Sequence, residues 1–379
     1  VRVTAQLIRA SDQTHVWAQN YDRELGNILD VQFEVARAVA AEIQLQLAEN
    51  SQGAPDEGPR IRSEAHEAYL RGRYFLDQRT PEAVLAARRW FERATSVQPD
   101  YARAWVGLAD SQILAVSYAN APPEPAMREA RESVLKALAL DSRLPEAHAW
   151  LGVIQTEYDW DWAGAERSLR RAVELDPNFA YAHKLYAEYL SYVGRGDEAV
   201  AEARLAQQLD PLSVVTNSML GIALYRARRY DEAVRELDAT VKLDPSHPLP
   251  YLPLGLAYSQ LGRSQEAVAA LERTLSLTAD NSEMIAQLGY VRARAGQTEQ
   301  ARTLLDELAR RSRNHYVSPF HFAIVYTGLG ETQHALEWLE QGYEQRDWLM
   351  CVVKTDPIFD PLRREPPFQA LLRRMNFPE

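Results

Sequence analysis

The chain opens on alternating apolar and polar positions. In VRVTAQLI, Val1, Val3, Ala5 and Leu7 are interleaved with Arg2, Thr4 and Gln6, which is the period of a half-buried strand. THVWAQNY reads as its neighbour, and the ASDQ between them supplies turn residues, so the stretch predicts a β-hairpin belonging to a larger sheet. From Asn27 the period lengthens. Ile28, Val31, Val35, Val39, Ile43 and Leu47 fall on one helical stripe with Asn27 as its N-cap, which completes a strand, strand, helix element over residues 1–47. SQGAPDEGPR then loses all periodicity and gathers Gly, Pro and charge, so residues 48–63 are expected to form a linker.

Beyond the linker the pattern repeats. Ala199, Ala233, Ala267, Ala301 and Ala335 stand 34 residues apart, and Pro177, Pro211 and Pro245 keep the same step. Twelve residues before each alanine lies Ala187, Gly221, Gly255, Gly289 or Ala323, each preceded by a large residue: Tyr186, Leu220, Leu254, Leu288 or Phe322. Small residues at that spacing let two helices cross closely while the large one fills the space beside the crossing, which describes a two-helix unit. Earlier repeats are less regular, with about three extra residues near Gln78 to Glu82, about nine near Ala119 to Pro125, and one around WDW. Insertions at turns leave a stack of helices intact. The count comes to about eight hairpins over residues 64–346, followed by a Pro-rich tail, residues 347–379, with one amphipathic helix from Phe368 to Met375. That tail is expected to cap the last repeat.

One segment invites a different reading. VGRGDEAV places Gly194, Gly196 and Ala199 in the order G-x-G-x-x-A, a pattern that cradles a dinucleotide pyrophosphate when a buried strand precedes it. Here AYAHKLYAEYLSY precedes it, and 34 residues on, RRYDEAV keeps DEAV without the glycines. Gly194 instead aligns with Gly262, Gly296 and Gly330 at the end of a first helix, where glycine takes the left-handed cap.

The small, large and proline positions together resemble the tetratricopeptide repeat. That resemblance implies an all-α, right-handed solenoid that binds other proteins. VRVTAQLI, HVWAQNYDREL and the helix after them, combined with the repeats, TEYDWDWAGAE and the tail, are also similar to a bacterial group in which a TolB-like domain precedes such repeats. Only the last third or so of the TolB-like domain is matched. Relatives of this kind are commonly attached to winged-helix activators, nucleotide cyclases or protein kinases, so the resemblance implies the regulatory or sensory arm of a larger signalling protein. A non-catalytic portion of a cyclase or kinase and a stand-alone assembly scaffold are the competing readings.

Charge narrows the partners. A formal charge of -11 and a pI near 5.4 argue against nucleic acid or anionic lipid, which call for clustered Lys and Arg. No apolar run approaches the roughly 18 residues of a membrane span, and no signal peptide is visible. Cys351 is the single cysteine, which excludes an internal disulfide and fits a reducing compartment without choosing between cytoplasm and periplasm.

Catalytic and metal chemistry find little support, and no cofactor is expected. The histidines are scattered and form no HExxH, C-x-x-C set or Gly-x-Ser-x-Gly elbow. His148 and His183 share the large-residue position of Trp105 and read as packed or rim side chains. Asp159, Asp161 and Gly164 begin something like a calcium loop, but Arg170 stands where a bidentate Glu belongs. Trp160 and Trp162 read as wedges between hairpins, and Cys351, flanked by Leu349, Met350 and two valines, as buried and inert.

Binding is better supplied. In the tetratricopeptide fold the first helix of each unit lines the concave side, which the resemblance assigns here to Trp150, Val153, Lys184 and Tyr192. Further along it assigns Met219, Ile222, Tyr225, Arg226, Leu252 and Leu256, and then Tyr290, Arg294, Phe320 and Ile324. Tyr and Arg anchor interfaces and Met adapts to varied shapes, so a protein or extended peptide is the expected ligand of this groove. A chaperone C-terminal tail is not: Lys184 fits the first position of a carboxylate clamp, but Glu188 replaces the Asn, and Leu249 and Pro253 replace the cations.

Overall fold

The computed structural model describes residues 2–8, 15–22, 61–119, 121–278 and 281–378. The chain divides into two units, residues 1–60 and 61–379. In the first, strands β1 (Arg2–Ile8) and β2 (His15–Asp22) pair antiparallel, with Arg2 opposite Asp22 and Leu7 opposite Trp17. The helix expected from Asn27 and most of the linker lie outside the described residues.

The second unit is helical. Its first four hairpins are α1 (Ser63–Leu76) with α2 (Pro81–Val97), α3 (Ala102–Tyr118) with α4 (Pro123–Leu140), α5 (Pro145–Ile154) with α6 (Trp162–Leu175), and α7 (Ala180–Val193) with α8 (Gly196–Leu209). The next four are α9 (Val214–Arg226) with α10 (Tyr230–Leu243), α11 (Tyr251–Gln260) with α12 (Ser264–Leu277), α13 (Ser282–Arg294) with α14 (Thr298–Arg311), and α15 (Pro319–Leu329) with α16 (Thr332–Glu344). Two 3-10 turns, Trp348–Val352 and Pro357–Leu362, and the short helix α17 (Pro366–Arg374) follow.

Close crossings hold helices together both within a hairpin and between neighbouring ones. A Cβ added to Gly107 would lie 2.3 Å from the Phe91 ring, one on Gly221 2.3 Å from Leu237 Cγ, and one on Gly255 1.8 Å from Leu271 Cδ2. In each case a glycine on a first helix lets a large side chain of a second helix sit against bare backbone, at the interior packing density that a methyl would violate.

A second device fixes the junctions between hairpins. Trp105 Nε1 donates to the carbonyl of Pro99, Asn217 Nδ2 to Pro211 and the Tyr251 hydroxyl to Pro245, at 2.8, 3.0 and 2.9 Å. At the same position His148 Nε2 lies 2.9 Å from the carbonyl of Ser142, and His183 Nε2 3.0 Å from that of Pro177. Each side chain reaches six residues back to a carbonyl exposed by the turn, so the two histidines serve chain reversal by satisfying a backbone acceptor.

Turns inside the hairpins use the left-handed region. Gly194, Gly262, Gly296 and Gly330 have φ of 92°, 73°, 78° and 74°. In the same slot of other repeats Trp160 and Arg228 adopt φ of 55° and 62°, a conformation that costs a residue with a Cβ about 1 kcal/mol or more.

Insertions are absorbed in different ways. The one extra residue around WDW enters a π-helical segment, Gln155–Asp159, which continues α5 with a locally wider turn. The residues near Ala119 to Pro125 go mostly into the helices: α3 and α4 have 17 and 18 residues, against 14 each in α7 and α8. Asp159 pairs with Arg131, and Asp161 caps α6 by accepting from the Gly164 amide at 2.9 Å, so both carboxylates of the calcium-like stretch have structural roles.

Candidate functional site

Consecutive first helices pack against one another all along α5, α7, α9, α11, α13 and α15, which puts them on the inner side of the curve. The tail lies on that side. The turn Trp348–Val352 packs on α7 and the turn Pro357–Leu362 on α15. The tail does more than cap the last repeat, because its contacts reach back to the third, fourth and fifth hairpins. Lys354 Nζ donates to the carbonyl of Val193 at 3.2 Å, Arg228 pairs with Asp360 at 2.6 Å, and the Tyr225 hydroxyl donates to Asp356 Oδ1 at 3.3 Å.

Local sequence explains the tail's path. Asp347 accepts from the Leu349 amide and Asp356 from the Ile358 amide, each at 3.0 Å, so each aspartate nucleates a tight turn with its own carboxylate. The turns and α17 present Met350, Val353, Phe359 and Phe368, all with 0% exposure, to the inner face. Full burial of such side chains contributes about 1.5–3 kcal/mol each, so the tail is part of the core. Phe359 meets Phe320 edge-on at 5.2 Å between ring centroids.

Trp160 and Trp162 seat remote parts of the chain instead of wedging between neighbouring hairpins. Trp160 stacks on Tyr343 of α16 at 5.4 Å with Arg346 over its ring. Trp162 stacks on Phe377 at 4.3 Å and donates to the carbonyl of Met375 at 2.9 Å. The π-segment and the left-handed turn at Trp160 aim these two rings toward the returning end of the solenoid.

The expected groove residues divide between the tail's seat and its surroundings. Met219, Tyr225 and Tyr192 are buried, with the Tyr192 hydroxyl donating to Glu188 Oε1 at 3.0 Å and the Arg226 guanidinium 4.8 Å above the Tyr192 ring. Phe320 and Ile324 are buried in the same core. Trp150 and Val153 are buried at the third hairpin, Trp150 against Tyr181 at 5.8 Å. Leu256 and Tyr290 are buried, with the Tyr290 hydroxyl accepting from Gln260 Nε2 at 3.2 Å. Ile222 and Leu252 are half-buried and Arg294 is exposed.

Lys184 and Glu188 form an internal pair at 2.5 Å. Burial opposes both charges, yet their attraction holds Glu188 below and Lys184 above the ordinary range. Close by, burial reinforced by the Glu188 charge pushes the Glu157 carboxyl up to about 8. Burial likewise raises the Cys351 thiol well above its usual value, which keeps it protonated and unreactive.

Asp356, Thr355, Lys354 and Arg228 complete this region and do not stand out from the repeat pattern. Their signal is the paired Asp-Pro of TDPIFDPL next to buried-type apolar residues, a turn signature that gives no hint of where the turns dock.

Residues 218–283 match the family model described as tetratricopeptide repeat. A protein of Rhizobium meliloti (strain 1021) described as an adenylate cyclase is 28% identical over 109 residues, 29% of this chain and 19% of that protein. The transcriptional regulator HilA of Salmonella typhimurium is 26% identical over 132 residues, 35% of this chain and 24% of that protein. The chain thus aligns with about a fifth to a quarter of the length of these relatives. A solved structure of a monomeric IFIT1 mutant with Gppp-AAAA covers 82% of this chain, and 71% of its own length is aligned, at 14% identity and a TM-score of 0.57; that likeness concerns the fold alone. The chain carries tetratricopeptide repeats stacked as a helical solenoid. Among the described residues no helix is long and apolar enough to cross a membrane.

Proposed function

We propose that this chain is a non-catalytic protein-interaction scaffold, the regulatory or sensory arm of a larger bacterial signalling or transcription-regulating protein, whose inner face recognises an extended polypeptide. The observation that carries this reading is the tail: the inner face already holds a segment of this same chain, folded into two short turns, through Tyr225, Arg228 and Phe320. The relatives support the regulatory part. Portions of this chain align with a protein described as an adenylate cyclase and with a transcriptional regulator. Partial likeness to proteins with such different outputs suits recognition or regulation better than either output's chemistry. The match to the cyclase favours one narrower version, in which the arm belongs to a nucleotide cyclase.

The half-buried Leu252 and the exposed Arg294 are the groove positions offered to a partner. A photo-crosslinking amino acid at either should give a discrete protein adduct in a bacterial lysate, while the same probe at exposed Leu243 on the second helix α10 should not. Adducts from Leu243 with none from Leu252 or Arg294 would move recognition to the outer face.

A further inference from the structure

Where the tail crosses the fourth and fifth hairpins it leaves a cavity of about 270 Å³ between Ser191, Gly194, Gly196, Arg226, Arg228 and Thr355, with Asp197 and two alanines completing the wall. We propose that this cavity is a binding site for a phosphate-type oxyanion, a function that goes beyond the scaffold reading.

Three independent features converge there. The first is the start of α8: the 14-residue helix begins at Gly196, its N-cap Arg195 makes no side-chain cap, and its first backbone hydrogen bond is donated by Ala199. The amides of the first turn therefore retain their donors, and the helix dipole favours a negative charge in front of them. The second is Thr355, 8% exposed, whose hydroxyl is buried without a hydrogen-bond partner. Its methyl faces Gly194, where a Cβ would lie 3.7 Å from Cγ2, and a change of one χ1 well exchanges methyl and hydroxyl. The third is Arg226, whose Nε and Nη1 are buried without hydrogen-bond partners. A buried donor left unpaired is costly, and more so when charged, so this site gains by acquiring an acceptor.

Most of the surrounding charges are matched. Arg228 is paired with Asp360, and the Asp197 carboxylate in the wall acts on Arg229 through space. Asp356 spends its Oδ1 on the Ile358 amide and the Tyr225 hydroxyl, and Glu188 is held by Lys184 and Tyr192. Arg226 feels both carboxylates through space and forms a hydrogen bond with neither. A guanidinium, a hydroxyl and helix-end amides around one cavity supply more donors than a single carboxylate accepts, which selects a tetrahedral oxyanion. The two glycines of VGRGDEAV contribute by leaving the approach open: Gly194 carries the left-handed turn, and a Cβ on Gly196 would press on Ala227 at 3.2 Å.

The test is a titration of the ¹⁵N-labelled full chain with inorganic phosphate at constant ionic strength, read at the Gly194, Gly196 and Thr355 amides, with parallel arms of methyl phosphate and acetate. Saturable shifts at these three amides are expected with phosphate, and affinity for acetate should be at least tenfold weaker. A response to methyl phosphate as strong as to phosphate would identify a phosphomonoester as the natural form, and a weaker one free phosphate. Thr355→Val, which keeps the shape, and Arg226→Gln should each reduce phosphate affinity at least tenfold, with Arg204→Gln as an unaffected surface control. If Arg226→Gln does not fold, Thr355→Val decides alone. Linear shifts, equal binding by Thr355→Val, saturation centred elsewhere, or acetate binding as tight as phosphate would each overturn the assignment.

Discussion

Phe359→Ala is the sharpest single perturbation of the tail. The ring is fully buried in the turn Pro357–Leu362, 5.2 Å from Phe320 at 65° and 6.4 Å from Phe368. Removing a buried phenyl from a core costs about 3–5 kcal/mol through lost transfer energy and the cavity left behind. A tail lying loosely on the surface would lose no more than about 0.5 kcal/mol from the same change. The two cases are several kcal/mol apart, well beyond error. Urea denaturation of the full chain followed by circular dichroism should therefore show a large loss for Phe359→Ala and almost none for Leu212→Ala, whose side chain is 77% exposed. Because a solenoid can lose cooperativity along its array, the variant should also be followed by tryptophan fluorescence, to which Trp160 and Trp162, where the tail and last hairpin return, contribute. A cost for Phe359→Ala below about 0.5 kcal/mol would refute the placement of the tail in the core.

Three other outcomes are expected. Gly107→Ala pushes a methyl into the rigid Phe91 ring at 2.3 Å and should destabilise by about 1–3 kcal/mol less the roughly 1 kcal/mol that alanine gains as a helix former; Gly289→Ala, whose nearest neighbour is Val325 at 3.0 Å, should be close to neutral, and equal thermal shifts would break the packing argument. Arg228→Gly relieves about 1 kcal/mol of left-handed strain while losing an ion pair whose side chains are 44% and 40% exposed and which is worth at most about 1 kcal/mol, so its unfolding midpoint should stay level or rise; a clear drop would show the pair to be stronger than that. Glu157 holds its proton up to about pH 8 in the folded chain against an ordinary 4.5, so its contribution is present below pH 4.5 and is lost as pH rises through 8; the stability of Glu157→Gln relative to wild type should increase across that window in urea titrations, and a pH-independent difference would contradict the burial of this carboxyl.

The hairpins were legible in the sequence because each repeats one physical solution. Gly221 and Gly255 must be small where Leu237 and Leu271 cross them, and Gly194 and Gly262 must turn left-handed, so a period of 34 follows from local geometry. The roles of His148 and His183 were only half legible: their alignment with Trp105 was visible, but the hydrogen bond to a carbonyl six residues back was not. The tail's destination was not legible at all. Tyr225 and Asp356 are 131 residues apart and Trp162 and Met375 are 213 apart, and such contacts depend on the accumulated curvature of several hairpins, a global quantity that no local pattern encodes. The inner-face tyrosines were identified as anchors without any sign that the chain itself supplies something to anchor.

The central claim, that the tail occupies the inner face as part of one core, is tested most directly by native-state amide exchange of the full chain. The amides of Val353, Thr355 and Phe359 in the tail turns donate to Met350, Val352 and Asp356, and those of Leu220 to Tyr225 lie in α9 beneath them. If tail and inner face open together, the two sets should exchange with free energies of opening within about 1.4 kcal/mol of each other, a factor of ten in rate. Tail amides exchanging at rates close to those of an unstructured chain while α9 remains protected would contradict the account.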